Sequence, residues 1–115
     1  MDSLLRILHG EEDFETAVKA GVTVLYKHSE RCFMCRRSLR QMEQFAEGRP
    51  DVPVYIIDVV GQRDLSSSIA DRFGVRHESP QVILVRDGSP VWDGSHFAVT
   101  AASIEVEVGR LAETD

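Results

Sequence analysis

Short apolar runs alternate with amphipathic stretches along almost the whole chain, and that alternation admits few folds. Leu4 to Leu8 reads as a strand. Glu11 to Ala20 reads as a short helix: its acidic first turn suits the positive end of the helix dipole, Phe14, Ala17 and Val18 share one face, and Gly21 stops it. Val22 to Tyr26, rich in β-branched and aromatic residues, is a buried strand. After a turn at Ser29 to Arg31, the stretch from Phe33 to about Glu47 repeats Cys35, Leu39, Met42 and Ala46 at helical spacing, then meets Gly48, Arg49 and Pro50. Val52 to Val60 is apolar almost throughout, as in the interior of a mostly parallel sheet. Asp64 caps a helix carrying Leu65, Ile69 and Phe73 on one stripe, and Gly74 follows it. Gln81 to Arg86 is a strand, Asp87-Gly88-Ser89-Pro90 a turn, and Val91-Trp92 the start of an antiparallel partner. Thr100 caps a last helix whose Ile104, Val108 and Leu111 face the core.

The order is strand, helix, strand, helix, strand, helix, strand, strand, helix. Strands joined by helices are expected to pair in parallel through right-handed crossovers, and the final hairpin adds antiparallel pairing. The expected class is α/β, with a central mixed β-sheet flanked by helices, which is the element order of the thioredoxin fold. A chain of 115 residues is expected to form one domain over 1–115, since two cores would each be too small. The net charge of -6 argues against nucleic acid as a partner, because that binding neutralises phosphates with Lys and Arg. No basic segment leads into an apolar run at the start, and no stretch approaches a membrane span, so a cytoplasmic monomer is expected.

Two cysteines, Cys32 and Cys35, are too few and too close together for a stabilising disulfide framework. Their position gives them another use. They stand where a buried strand gives way to a helix, so Cys32 meets unpaired backbone N–H groups and the positive end of the dipole, both of which favour thiolate. Thiolate is the attacking species in disulfide exchange. Cys32 is expected to attack a substrate disulfide, and Cys35, one turn on and more buried, to resolve the mixed disulfide. No resident cofactor is required, because the thiol pair itself carries the electrons. From Lys27 to Arg40, five cations stand against one anion, a net +4 inside an acidic chain. Such a patch supports a thiolate and attracts anions, although a row of Arg on a helix is often only a solvated face. Ser79-Pro80 stands just before a strand, where a trans proline is the common form. In thioredoxin-like proteins a cis-proline loop faces the cysteine pair. The element order puts Ser79-Pro80 at that place, and a cis bond is expected from that resemblance.

Several of these residues together resemble a known family. Lys27-His28-Ser29 before Cys32, then Gly74-Val75-Arg76-His77-Glu78-Ser79-Pro80-Gln81, then Val91-Trp92 and Ser95-His96, look like the bacilliredoxins of the YtxJ type. The match runs from about Val22 to Thr100, and His77 to Gln81 is its most specific part. The resemblance implies a thioredoxin fold, a nucleophile at Cys32, a cis-proline at Pro80, and the removal of bacillithiol from protein mixed disulfides. Where the family typically shows Cys-Pro-Ile-Ser, this chain has Cys32-Phe33-Met34-Cys35, which favours a dithiol cycle over a monothiol one. Tyr26 stands six residues before Cys32, where thioredoxins keep a buried acid.

The expected substrate contacts are Ser79 and Pro80, Arg31 and Lys27 for the carboxylates of bacillithiol (with Arg36), His77 at the groove, and Phe33 and Met34 as an exposed apolar corner for a protein partner. His28 is expected at the surface and Trp92 in packing. Two other readings stand beside this one. A general dithiol reductase or oxidase would act on protein disulfides. A zinc-binding or redox-sensing module would use His28, Cys32 and Cys35, with His77 or His96 as a fourth ligand, although structural zinc sites usually offer two close ligand pairs.

Overall fold

The computed structural model describes residues 4–31 and 33–113. Five strands form one sheet: β1 (Leu5–Ile7), β2 (Val22–His28), β3 (Val54–Asp58), β4 (Gln81–Arg86) and β5 (Ser89–Ser95), in the order β1-β3-β2-β4-β5. Four helices accompany it: α1 (Glu11–Val18), α2 (Phe33–Gly48), α3 (Arg63–Phe73) and α4 (Ala101–Glu113). A 3-10 turn over His96–Ala98, absent from the sequence reading, links β5 to α4. This is the expected thioredoxin fold.

The central strands β2 and β4 are buried on both faces, and their side chains alternate between two cores. Val24 and Tyr26 of β2 and Val82 and Leu84 of β4 join Met42 and Phe45 of α2 and Ile104 and Val108 of α4 on one face. Leu25 of β2 and Ile83 and Val85 of β4 meet Phe14 and Val18 of α1 and Leu65 and Ile69 of α3 on the other.

One expectation about the sheet is corrected. β3 runs parallel to β1 and β2, but β4 runs antiparallel to β2, although α3 joins β3 to β4. The stretch after α3 returns the chain to the C-terminal end of β2, where Gln81 pairs with Lys27. Residues 74–80 therefore arrive at the same end of the sheet as the start of α2. A helix between two strands fixes neither the neighbour nor the direction of the second strand when the segment after the helix is long.

Local signals mostly read true. The hairpin is where expected, but its turn is shorter. Asp87 and Gly88 alone, with φ of 48° and 83°, make a two-residue mirror-image turn that suits the twist of a hairpin. Ser89 and Pro90, expected in the turn, already pair in β5 with Arg86 and Val85. Thr100 Oγ1 accepts the Ser103 N–H at 3.1 Å, capping α4. Asp64 does not cap α3: Gln62 holds that place, its carbonyl accepting the Ser66 N–H at 2.9 Å, and Asp64 lies within the first turn. The Gln62 N–H already bonds the Asp58 carbonyl at 2.7 Å, which starts the helix two residues early. α1 ends at Val18 rather than Ala20, with Gly21 in the left-handed region at φ 77°.

Candidate active site

The site lies at the C-terminal end of β2, where three segments far apart in sequence converge. α2 begins at Phe33, directly after Cys32. Cys32, the expected nucleophile, lies outside the described residues. Cys35 is fully buried on the inner side of α2. Its Sγ stands 3.7 Å from Ser79 Oγ, and the Ser79-Pro80 bond is cis, as expected. The second cysteine and the proline loop, 44 positions apart, are thus brought together. Phe33 is 91% exposed and Met34 is half-buried.

The residues around Pro80 explain why so particular a sequence stands there. Gln81 is buried, and its Nε2 donates to the Arg76 carbonyl at 2.8 Å and to Ser95 Oγ at 3.3 Å. The His96 N–H donates to the Pro80 carbonyl at 2.9 Å, and His96 Nε2 lies 3.2 Å from Glu78 Oε2. His96 sits in the left-handed region at φ 56°. The loop is therefore pinned to the end of β5 by three contacts. Trp92 packs against the α2–α4 core, as expected.

Lys27 is corrected. It is not a surface cation but fully buried, because it follows Tyr26 in a strand and so faces the opposite side of the sheet. Its Nζ donates to the Ser66 carbonyl at 3.2 Å and to His77 Nδ1 at 3.1 Å. Burial pushes its pKa down from 10.5 to about 8. Ser66 Oγ also reaches His77 Nδ1, at 3.2 Å. Lysine can only donate, so Nδ1 of His77 is the acceptor and the ring carries its proton on Nε2. The pKa of His77 is lowered, by burial first and then by the charge of Lys27.

His28 is corrected too. The sequence reading puts it at the surface, but β2 continues through it and it is buried. Tyr26 Oη lies 2.8 Å from His28 Nδ1 and 3.2 Å from the Cys35 carbonyl, and His28 Nε2 lies 3.0 Å from Glu30 Oε1. The carboxylate only accepts, so Nε2 carries a proton. A polar chain thus runs from exposed Glu30 through His28 to the tyrosine beneath the first turn of α2. Sequence reading notes Tyr26 only as a departure from thioredoxin; an aromatic in an apolar strand gives no sign that its hydroxyl will meet a helix carbonyl. Both ring nitrogens of His28 are engaged, by Tyr26 Oη and Glu30 Oε1, and the described residues, which leave out Cys32, hold no group of three His, Cys, Asp or Glu side chains suited to a metal.

Arg31, Arg36, Arg37 and Arg40 are exposed. A cavity of about 380 Å³ opens beside Arg31, lined also by Val59, Val60, Arg63, Ser66, Ser67 and His77. Arg63, Ser66 and Ser67 were not singled out in the sequence, since nothing local links α3 to the cysteine pair. No helix among the described residues is long and apolar enough to cross a membrane.

Comparisons with known proteins agree with the fold. A proposed oxidoreductase with a thioredoxin fold matches with a TM-score of 0.85 and 30% identity, over 90% of this chain and 92% of that one. Thioredoxin from Trypanosoma brucei brucei matches with a TM-score of 0.77 at 18% identity, over 95% and 91%. Mitochondrial thioredoxin 3 from Saccharomyces cerevisiae matches with a TM-score of 0.77 at 16% identity, over 95% and 99%. The last two establish the fold alone. The family model of the monothiol bacilliredoxin BrxC matches residues 6–104. The chain therefore belongs to the monothiol bacilliredoxin BrxC family, a thioredoxin-fold family of thiol–disulfide redox proteins.

Proposed function

We propose that the protein is a cytoplasmic, monomeric bacilliredoxin that works by a dithiol cycle, removing bacillithiol from mixed disulfides with proteins. The Cys32 thiolate attacks the bacillithiol sulfur; the substrate S–S bond breaks and the target protein leaves as thiolate. The Cys35 thiolate then attacks the Cys32 sulfur, and bacillithiol leaves as thiolate. The pair ends as a Cys32–Cys35 disulfide, having passed two electrons to the substrate. An external thiol reductant restores it with two electrons and two protons. Ser79 offers its backbone to the substrate beside cis-Pro80, which fixes the loop, Phe33 and Met34 offer an apolar corner, and Arg31 and His77 a polar rim. Lys27 acts from beneath as a buried charge.

The observation that carries this reading is the 3.7 Å approach of Cys35 Sγ to Ser79 Oγ beside cis-Pro80. It puts a second thiol in the corner where a monothiol protein has none. A general reductase of protein disulfides is the second reading, favoured by the exposure of Phe33.

The test uses a bacillithiolated protein as substrate. Cys32→Ser is expected to abolish release of bacillithiol, and Cys35→Ser to accumulate an adduct on Cys32 that mass spectrometry weighs. Full turnover by Cys35→Ser without added thiol would remove the resolving role. Equal turnover of glutathione and bacillithiol adducts would remove the specificity.

A further inference from the structure

We propose that the cavity between Arg31 and the start of α3 is a carboxylate subsite for the small thiol, with Arg31, Arg63, Ser67 and His77 as its donors and Lys27 as the charge behind it. The proposal rests on the function proposed above and names where the non-sulfur end of the thiol sits.

The lining holds two guanidinium groups, two hydroxyls and an imidazole, and no acidic side chain. Neither Arg31 nor Arg63 has a carboxylate partner among the described residues. Both are free to grip a ligand carboxylate in two-pronged fashion, the geometry a guanidinium supplies best. His77 presents a donor here, since Nδ1 is occupied by Lys27 and Ser66 and the proton stays on Nε2.

The buried Lys27 is the independent sign. An ammonium group out of water is costly unless an anion accompanies it. Lys27 has no such partner among the described residues; its neighbours are a carbonyl and a ring nitrogen. Both belong to residues that line the cavity, Ser66 and His77. The uncompensated charge is thus turned towards this cavity through the two groups that touch it. A ligand carboxylate placed there supplies the missing countercharge.

Position completes the case. Arg31 precedes Cys32 in the chain, so the cavity adjoins the segment that carries the expected nucleophile. A volume of about 380 Å³ suits a small dicarboxylate and its linker. An acidic side chain of the target protein carries the same chemistry, and the experiment separates the two sources.

The reduced protein is titrated with S-methyl bacillithiol, which cannot exchange disulfides, while backbone amide resonances are followed. Expected are shifts confined to Arg31, Val60, Arg63, Ser67 and His77, a dissociation constant about tenfold higher in Arg63→Gln, and no such shifts with the dimethyl ester. Shifts elsewhere, equal binding of the ester, or unchanged binding by Arg63→Gln would each overturn the subsite. So would slower reduction by Arg63→Gln of ordinary protein disulfides but not of bacillithiol adducts, which assigns the cavity to the target's acidic side chain. The titration needs no turnover. A wild-type protein that binds S-methyl bacillithiol in the cavity yet fails to reduce bacillithiolated protein keeps the subsite and loses the reductase reading.

Discussion

Replacing Lys27 by methionine, similar in length but without charge, is expected to stabilise the protein at neutral pH and destabilise it in alkali. The folded state holds the Lys27 pKa at about 8, against 10.5 when exposed. That depression withholds about 3 kcal/mol of stability at pH 7, because the buried charged form is the disfavoured one. Between the two pKa values the unfolded chain binds more protons than the folded one, so the wild type gains stability as pH rises through this window. Methionine removes the penalty but also removes donors to the Ser66 carbonyl and His77 Nδ1, at about 1 kcal/mol each. Lys27→Met is therefore expected to be about 1 kcal/mol more stable at pH 7 and about 2 kcal/mol less stable above pH 10.5. Urea unfolding of both proteins, in reductant, from pH 7 to 11 measures the difference, and other titrating groups cancel in it. A difference that stays flat between pH 8 and 10.5 would refute the reasoning, because it would mean that Lys27 keeps its ordinary pKa on folding. A variant several kcal/mol less stable at pH 7 would refute it as well.

Two other substitutions probe the site. Tyr26→Phe removes the hydroxyl shared by His28 Nδ1 and the Cys35 carbonyl; a loss of about 1–2 kcal/mol in chemical unfolding is expected, and an unchanged midpoint would deny the polar chain any structural weight. Phe33→Ser, at an exposed position, is expected to leave stability within about 0.5 kcal/mol while raising KM for a bacillithiolated protein and not for a bacillithiolated peptide; equal KM values for the protein in both forms would remove the docking role.

The relation between sequence and site differs residue by residue. Cys35 was legible from local position, a cysteine one turn into a helix, whereas Ser79 and Pro80 were legible only through the element order and the likeness to thioredoxin-like proteins, since a proline opening a strand is by itself ordinarily trans. Much of the core was legible from short-range patterns as well, the apolar runs of β2 and β4 and the helical stripes of α2 and α4. Lys27 and His28 were misread because each was placed by its charge or its distance from the strand end. β2 runs on to His28, and inside a strand the side-chain period of two decides direction regardless of polarity.

The sequence by itself determined the order of elements, a tight hairpin turn beginning at Asp87-Gly88, the cap at Thr100 and the place of Cys35 in the first turn of a helix, because each depends on neighbours within a few residues. Only the tertiary structure decided the direction of β4, because the segment after α3 could have led to either end of the sheet. That choice carries His77 to the C-terminal end of β2 and sets it against Lys27 and Ser66. The cavity at Arg31 is then made of residues from three separate segments, and no local pattern encodes such a meeting; it exists because β3 runs parallel and β4 antiparallel to β2, which brings the residues after β2, after β3 and before β4 to one end of the sheet.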